Sequence, residues 1–129
     1  MPLSKNKPVE AMPNRGARYE REALALLQQA GLTLVTQNYR IRGGEIDLIM
    51  LDQRTLVFIE VRYRKHGQYG SAGESITPTK QARIIRTAEM FLAQHPTYGH
   101  SACRFDAVLF DQKGATVQHT WIKAAFDAG

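Results

Sequence analysis

Two apolar runs, Glu45–Leu51 and Leu56–Tyr63, are separated only by Asp52-Gln53-Arg54-Thr55. Short runs rich in Ile, Leu, Val and Phe with so brief a connection predict an antiparallel hairpin. A turn centred on Gln53-Arg54 sets Leu51 against Leu56, Ile49 against Phe58 and Asp47 against Glu60. Directly opposed residues have Cβ atoms roughly 4.5–5.5 Å apart, and like charges placed so destabilise an ordinary sheet. The pair makes sense around a divalent cation, since hard cations take carboxylate oxygens as ligands. Side-chain parity agrees: Leu56, Phe58, Glu60, Arg62 and Arg64 share one face, and Val57, Ile59, Val61 and Tyr63 the other. Glu60 thus interrupts an apolar row, with Arg62 beside it. The alternative is a one-residue slip or a bulge, with Glu60 in a plain salt bridge to Arg62 or Arg42.

The flanking sequence supplies the layers that such a hairpin needs. A helix is predicted from Gly16 to Ala30, stopped by Gly31, with Ala17, Leu24, Leu27 and Ala30 as its apolar stripe. Glu20 falls on that stripe, where a carboxylate is costly without a partner; the alternative puts it at the stripe's edge, in solvent. A strand over Leu32–Tyr39 precedes a turn made by Arg40, Arg42 and Gly43-Gly44. Lys65–Ser75 holds Gly67, Gly70 and Gly73 and reads as a mobile loop, without the Gly-Lys-Ser/Thr ending of a phosphate-cradling loop. A second helix opens with Thr77 as N-cap and Pro78 at its first position. It ends near His95-Pro96 and buries Ile84, Ile85, Ala88, Phe91 and Leu92. Strands over Cys103–Phe110 and Thr116–Lys123 follow, joined by Asp111-Gln112-Lys113-Gly114. The order is αβββαββ: an α/β fold, with a mixed sheet of about five strands flanked by helices. Residues 1–14, with three of the five prolines, read as a disordered tail, and 15–126 as one domain.

Charge narrows the partners. The formal net charge is +5 and the pI about 9.6, which suits a polyanion, nucleic acid before an anionic membrane. A basic but merely solvated surface accounts for the charge equally well. The single cysteine, Cys103, excludes an internal disulfide or a cysteine-held zinc. The histidines, His66, His95, His100 and His119, show no ligand spacing and read as surface or loop residues. Neither a signal-peptide core nor an apolar run of about 18 residues is present, so a cytoplasmic protein without a membrane partner is expected.

The strings Arg42-Gly43-Gly44-Glu45-Ile46-Asp47-Leu48-Ile49 and Phe58-Ile59-Glu60-Val61-Arg62-Tyr63-Arg64 resemble the YraN family of bacterial proteins. So do Gly16 and Glu20, Lys80 and Arg83, and Cys103-Arg104-Phe105-Asp106, and the resemblance covers about residues 15–126. That family is similar to PD-(D/E)XK nucleases of the Holliday-junction-resolvase type. The resemblance implies a restriction-endonuclease-like fold with Asp47 as the strand aspartate, Glu60 as the Glu of Glu-x-Lys and Glu20 as the helical acid. Two positions depart from the pattern: Arg62 stands where lysine is usual, and Ile46 rather than proline precedes Asp47.

The implied catalytic set is Glu20, Asp47, Glu60 and Arg62, with Asp47, Glu60 and Glu20 holding Mg²⁺ or Mn²⁺. Arg62 can clamp a phosphate but is a poor base. Arg40, Arg42, Arg64, Lys65, Lys80 and Arg83 come from segments flanking this set and are expected to contact phosphates, while Arg86 reads as a solvated charge. Asp106 reads as a buried partner of Arg104 or a strand-end cap rather than a catalytic group. The leading expectation is a metal-dependent nuclease acting on branched or structured DNA. Two readings stay beside it: a nucleic-acid-binding module with this fold and little catalysis, and an interaction scaffold whose acids form a salt-bridge network. The resemblance also admits a homodimer, although no two-fold interface is legible in the sequence.

Overall fold

The computed structural model describes residues 15–65 and 72–128. The expected tail over 1–14 and positions 66–71 of the expected mobile loop over Lys65–Ser75 lie outside them; the loop's described ends are ordered instead, Lys65 in a strand and Ala72–Ser75 in a 3₁₀ turn that buries Ala72 and Ser75. Helix α1 spans Arg15–Gln29, followed by strands β1 (Thr33–Ile41), β2 (Gly44–Asp52) and β3 (Thr55–Lys65). A 3₁₀ turn, Ala72–Ser75, leads to helix α2 (Pro78–Gln94), and β4 (Cys103–Lys113) and β5 (Thr116–Phe126) complete the chain's order. The strands form one sheet in the order β1-β2-β3-β4-β5. All neighbours are antiparallel except β3 and β4, which run parallel. A parallel pair needs a crossover, and α2 supplies it. The expected α/β architecture and element order hold. The strands run up to three residues beyond their expected ends, because Asp111–Lys113 stay in the ladder and Phe126 rejoins it opposite Phe105 after an irregularity.

Each face of the sheet carries one helix. Tyr19, Ala23 and Leu27 of α1 pack on Leu48, Met50, Val57, Ile59, Val61, Val108 and Phe110. Ile84, Ala88 and Phe91 of α2 pack on Ile46, Ile49, Leu56, Phe58 and Phe105. The α1 stripe is therefore phased differently from expectation: Ala30 is exposed and Leu24 only half-buried. Tyr19 takes the centre because its ring stacks between Tyr63 and Phe110, and Glu20 consequently sits beside the stripe, half-buried. In α2, Thr77 Oγ1 accepts the Lys80 N–H as expected. Thr87 is buried as well, its hydroxyl donating to Arg83 O at 2.7 Å. A Cβ at Gly44 would collide with Thr87 Oγ1, so glycine there lets α2 lie close on β2.

Asp106 is fully buried and satisfied. It accepts from Arg104 Nε and Nη2, Trp121 Nε1 and the Ala124 N–H, all at 2.9–3.0 Å. Arg104 also reaches Asp52 at 3.0 Å, tying β4 to the β2–β3 hairpin. Among the described residues no helix is long and apolar enough to cross a membrane.

Candidate active site

The β2–β3 ladder runs from Asp52↔Thr55 through Leu51↔Leu56 and Ile49↔Phe58, and its last pair is Leu48↔Ile59. Asp47 and Glu60 are thus not a directly opposed pair, as the extended register would have them. The Val61 N–H donates instead to Asp47 Oδ2 at 2.8 Å. A side chain has taken the place of the next ladder bond. The strand changes course at the same point: Ile46 packs on the α2 side, yet Leu48 packs on the α1 side. Opposite this step Asn38 of β1 has φ 53, a left-handed value uncommon for a residue with a side chain. Asp47 therefore stands where β2 leaves β3, and it lines clefts on both faces of the sheet.

The α2-side cleft, about 390 Å³, is lined by Arg40, Asp47, Glu60, Arg62, Lys80 and Arg83 among others. The α1-side cleft, about 320 Å³, includes Arg15, Glu20, Asp47, Tyr63, Arg64 and Lys80. Glu20 from α1 and Glu60 from β3 both hydrogen-bond Asp47, so the three expected acids do meet. Arg62 Nη2 lies 2.6 Å from Glu60 Oε2, the pairing that the salt-bridge reading anticipated. Arg40, Arg64, Lys80 and Arg83 line one cleft or the other, whereas Arg42 and Lys65 are exposed and are not among the lining residues. Arg86 is exposed on α2, as expected.

Crowding three carboxylates raises all three. Burial first, then Asp47's charge, lifts Glu20 to about 7 and Glu60 to about 8. Asp47 rises too, chiefly by burial, against the Val61 N–H that favours its anion. The consistent picture is an Asp47 carboxylate accepting from two glutamic acids. Sequence reading passed over two contributors. Glu45 adds negative charge that raises both Glu20 and Asp47, and the Asn38 amide hydrogen-bonds Glu20 and opposes the rise. Glu45 was legible two residues before Asp47, but Asn38 depends on its left-handed backbone. Burial and then Arg62 hold the Lys80 ammonium below its ordinary range.

These shifts have a sign that stability measures. An acid whose folded pKa lies above its unfolded value binds its proton more tightly when folded. Its contribution is complete below the ordinary value of 4.5 and is lost as pH rises through about 8 for Glu60. Without added metal, the melting temperature should fall by several degrees from pH 6 to pH 8.5, since Glu60 alone loses on the order of 1 kcal/mol per pH unit up to about pH 8, and little beyond it. Glu60→Gln should flatten the fall in differential scanning calorimetry.

The donor set suits a hard divalent cation: it is all oxygen and half-buried or buried. Among the described residues no three His, Cys, Asp or Glu side chains stand as a ready-made metal cage. Magnesium needs less, since one or two carboxylates with waters and substrate phosphate usually hold it. Asp47 and Glu60 fit that role, with Glu20 at one remove.

Comparison with known proteins adds the family. Residues 19–110 match the family described as "Uncharacterised protein family UPF0102". A UPF0102 protein of Alcanivorax borkumensis is 45% identical over 127 residues, 98% of each chain. One from Psychromonas ingrahamii is 48% identical over 118 residues, 92% of this chain and 93% of its own. Another, from Nitrosomonas europaea, is 50% identical over 114 residues, 88% and 94% of the two chains.

Proposed function

The chain belongs to the UPF0102 family, the YraN family that its motifs resemble, and we propose that it is a cytoplasmic, metal-dependent nuclease with a PD-(D/E)XK-like core that hydrolyses phosphodiesters in branched or structured DNA. One observation carries the reading. Three acids from α1, β2 and β3 come together at the junction of two clefts whose walls carry Arg40, Arg64, Lys80 and Arg83, with Asp47 raising the proton affinity of both glutamates. A structural salt-bridge network would match its acids with nearby cations. Here Glu60 does pair with Arg62, yet Asp47's charge still raises both glutamates, an arrangement typical of functional sites.

Each residue's role follows from its place. Asp47 and Glu60 would hold Mg²⁺ or Mn²⁺, and the Val61 N–H keeps the Asp47 carboxylate aimed. Such an ion, when bound, supplies acidification of a water and neutralisation of charge on the phosphate. Arg62, anchored through Glu60, presents fixed positive charge to the scissile phosphate. Arginine does not take a proton from water. Lys80 is the amine that lines both clefts, and its lowered affinity for a proton suits it to orient or deprotonate the nucleophile. The test is a cleavage screen over linear, nicked, flap and four-way-junction DNA with Mg²⁺ or Mn²⁺. Cleavage of at least one form supports the proposal, and intact DNA throughout contradicts it. The short Arg62–Glu60 ion pair at a position where lysine is usual favours one second reading, a binding module that keeps the fold without the reaction.

Both readings require that the protein grip phosphates. Binding should fall steeply with salt as counterions are released. Lys80→Ala with Arg83→Ala should weaken it on all sequences alike, and the salt slope should drop by about one for each phosphate no longer neutralised. Gel-shift titrations at several salt concentrations measure this.

A further inference from the structure

The α1-side cleft holds an aromatic ring whose setting the acid cluster does not explain. Tyr63 directly follows Arg62 on β3, on the opposite face of the strand. One side of its ring stacks on Tyr19, with centroids 4.7 Å apart and planes 11° from parallel. Tyr19 in turn leans on Phe110, also at 4.7 Å. The Tyr63 hydroxyl donates to Gln112 Oε1 of β4. Ring plane and edge are therefore both fixed. Among the described residues, the remaining face carries the guanidinium of Arg15, 5.0 Å from the ring centroid, and Arg15 is an exposed residue in the first turn of α1. A stack at 4.7 Å leaves no room between Tyr19 and Tyr63, so Arg15 and Tyr19 lie on opposite sides.

Resting on the nucleic-acid reading, we propose that Tyr63 is a stacking platform for an unpaired nucleobase beside the acid cluster, the base taking the ring face that Arg15 now covers and the exposed Arg15 side chain moving outward onto the base's other face. A planar base is the ligand that extends a column of rings and still accepts a planar cation on its other face. The ring's orientation is already set, so little side-chain entropy is lost on stacking. The cleft's volume of about 320 Å³ falls at the low end of the roughly 300–1,000 Å³ of small-molecule sites. Arg64 and Lys80 line the same cleft and would take the phosphates on either side of the base. Duplex DNA keeps its bases stacked on each other, so the subsite selects a strand with an unpaired nucleotide beside the scissile phosphate.

The experiment compares wild type on an oligothymidylate, the same backbone made abasic, and a duplex, by fluorescence anisotropy at low salt. Stacking contributes about 1–3 kcal/mol per base, so wild type should prefer the base-bearing strand over the abasic one by about tenfold or more. Tyr63→Leu should erase the preference without changing affinity for the abasic strand, and Tyr63→Phe, which keeps the ring, should retain it. Equal wild-type affinity for base-bearing and abasic strands overturns the platform, as does a parallel loss on both in Tyr63→Leu. The wild-type comparison decides even if Tyr63→Leu fails to fold. If wild type binds none of the three at low salt, the nucleic-acid reading itself falls.

Discussion

Asp47→Ala is expected to lower metal-dependent cleavage by about 10³-fold, the upper range for removing one preorganised electrostatic group. It should leave the fold intact and tighten DNA binding slightly, because a negative charge leaves the phosphate path. The two glutamates would lose their shared acceptor, and the Val61 N–H its partner. Substitution at position 62 separates charge from proton transfer. Arg62→Ala should be poor, since it removes the cation and leaves Glu60 without its 2.6 Å partner. Arg62→Lys should keep much of the activity if only charge matters there. A rate above wild type would mean that arginine has cost the site a water-orienting amine. Lys80→Arg is the complement: it preserves charge but not a removable proton, so a loss well beyond that of Arg83→Lys would place proton transfer at Lys80. Initial rates on the best substrate of the cleavage screen measure each.

The second large effect lies away from the site. Asp106→Ala should cost about 3 kcal/mol or more, because it strands a half-buried guanidinium and leaves buried donors unsatisfied. Four hydrogen bonds to the Asp106 carboxylate end together, from Arg104 twice, Trp121 and Ala124. Asp52 still holds Arg104 and softens the loss. Asp106→Asn should fare little better, since its amide nitrogen must face a donor. Urea denaturation reads the difference, and a midpoint unchanged from wild type would show that this network does not hold β4 and β5 together.

Local signals carried most of this architecture. Thr77-Pro78 marks the start of α2 because capping is a property of neighbouring residues. The Gln53-Arg54 turn sets the hairpin register correctly as far as Leu48↔Ile59. Beyond that pair the ladder ends for a tertiary reason. Asp47 spends its carboxylate on the Val61 N–H and on Glu20, which arrives from a helix whose phase the sequence left one residue adrift. Tyr19 explains that error: an amphipathic ring can face either way, and only Tyr63 and Phe110 across the sheet decide it. The basic residues divide similarly. Lys80 and Arg83 follow from the cap and the helical period, while nothing local told that Arg42, in the turn before Gly43, would stay outside both clefts.

A divalent cation held by the carboxylates of Asp47 and Glu60 would be measured directly by its binding. Calorimetric titration of Mn²⁺ into the metal-free protein near pH 7.5, repeated in buffers of differing ionisation enthalpy, counts ions and protons together. One ion should bind, with protons released, because Glu60 at about 8 and Glu20 at about 7 enter the titration partly protonated. Both signals should disappear in Asp47→Ala. Absence of binding by wild type, or binding undiminished in Asp47→Ala, would contradict the assignment of these two carboxylates as the metal's ligands.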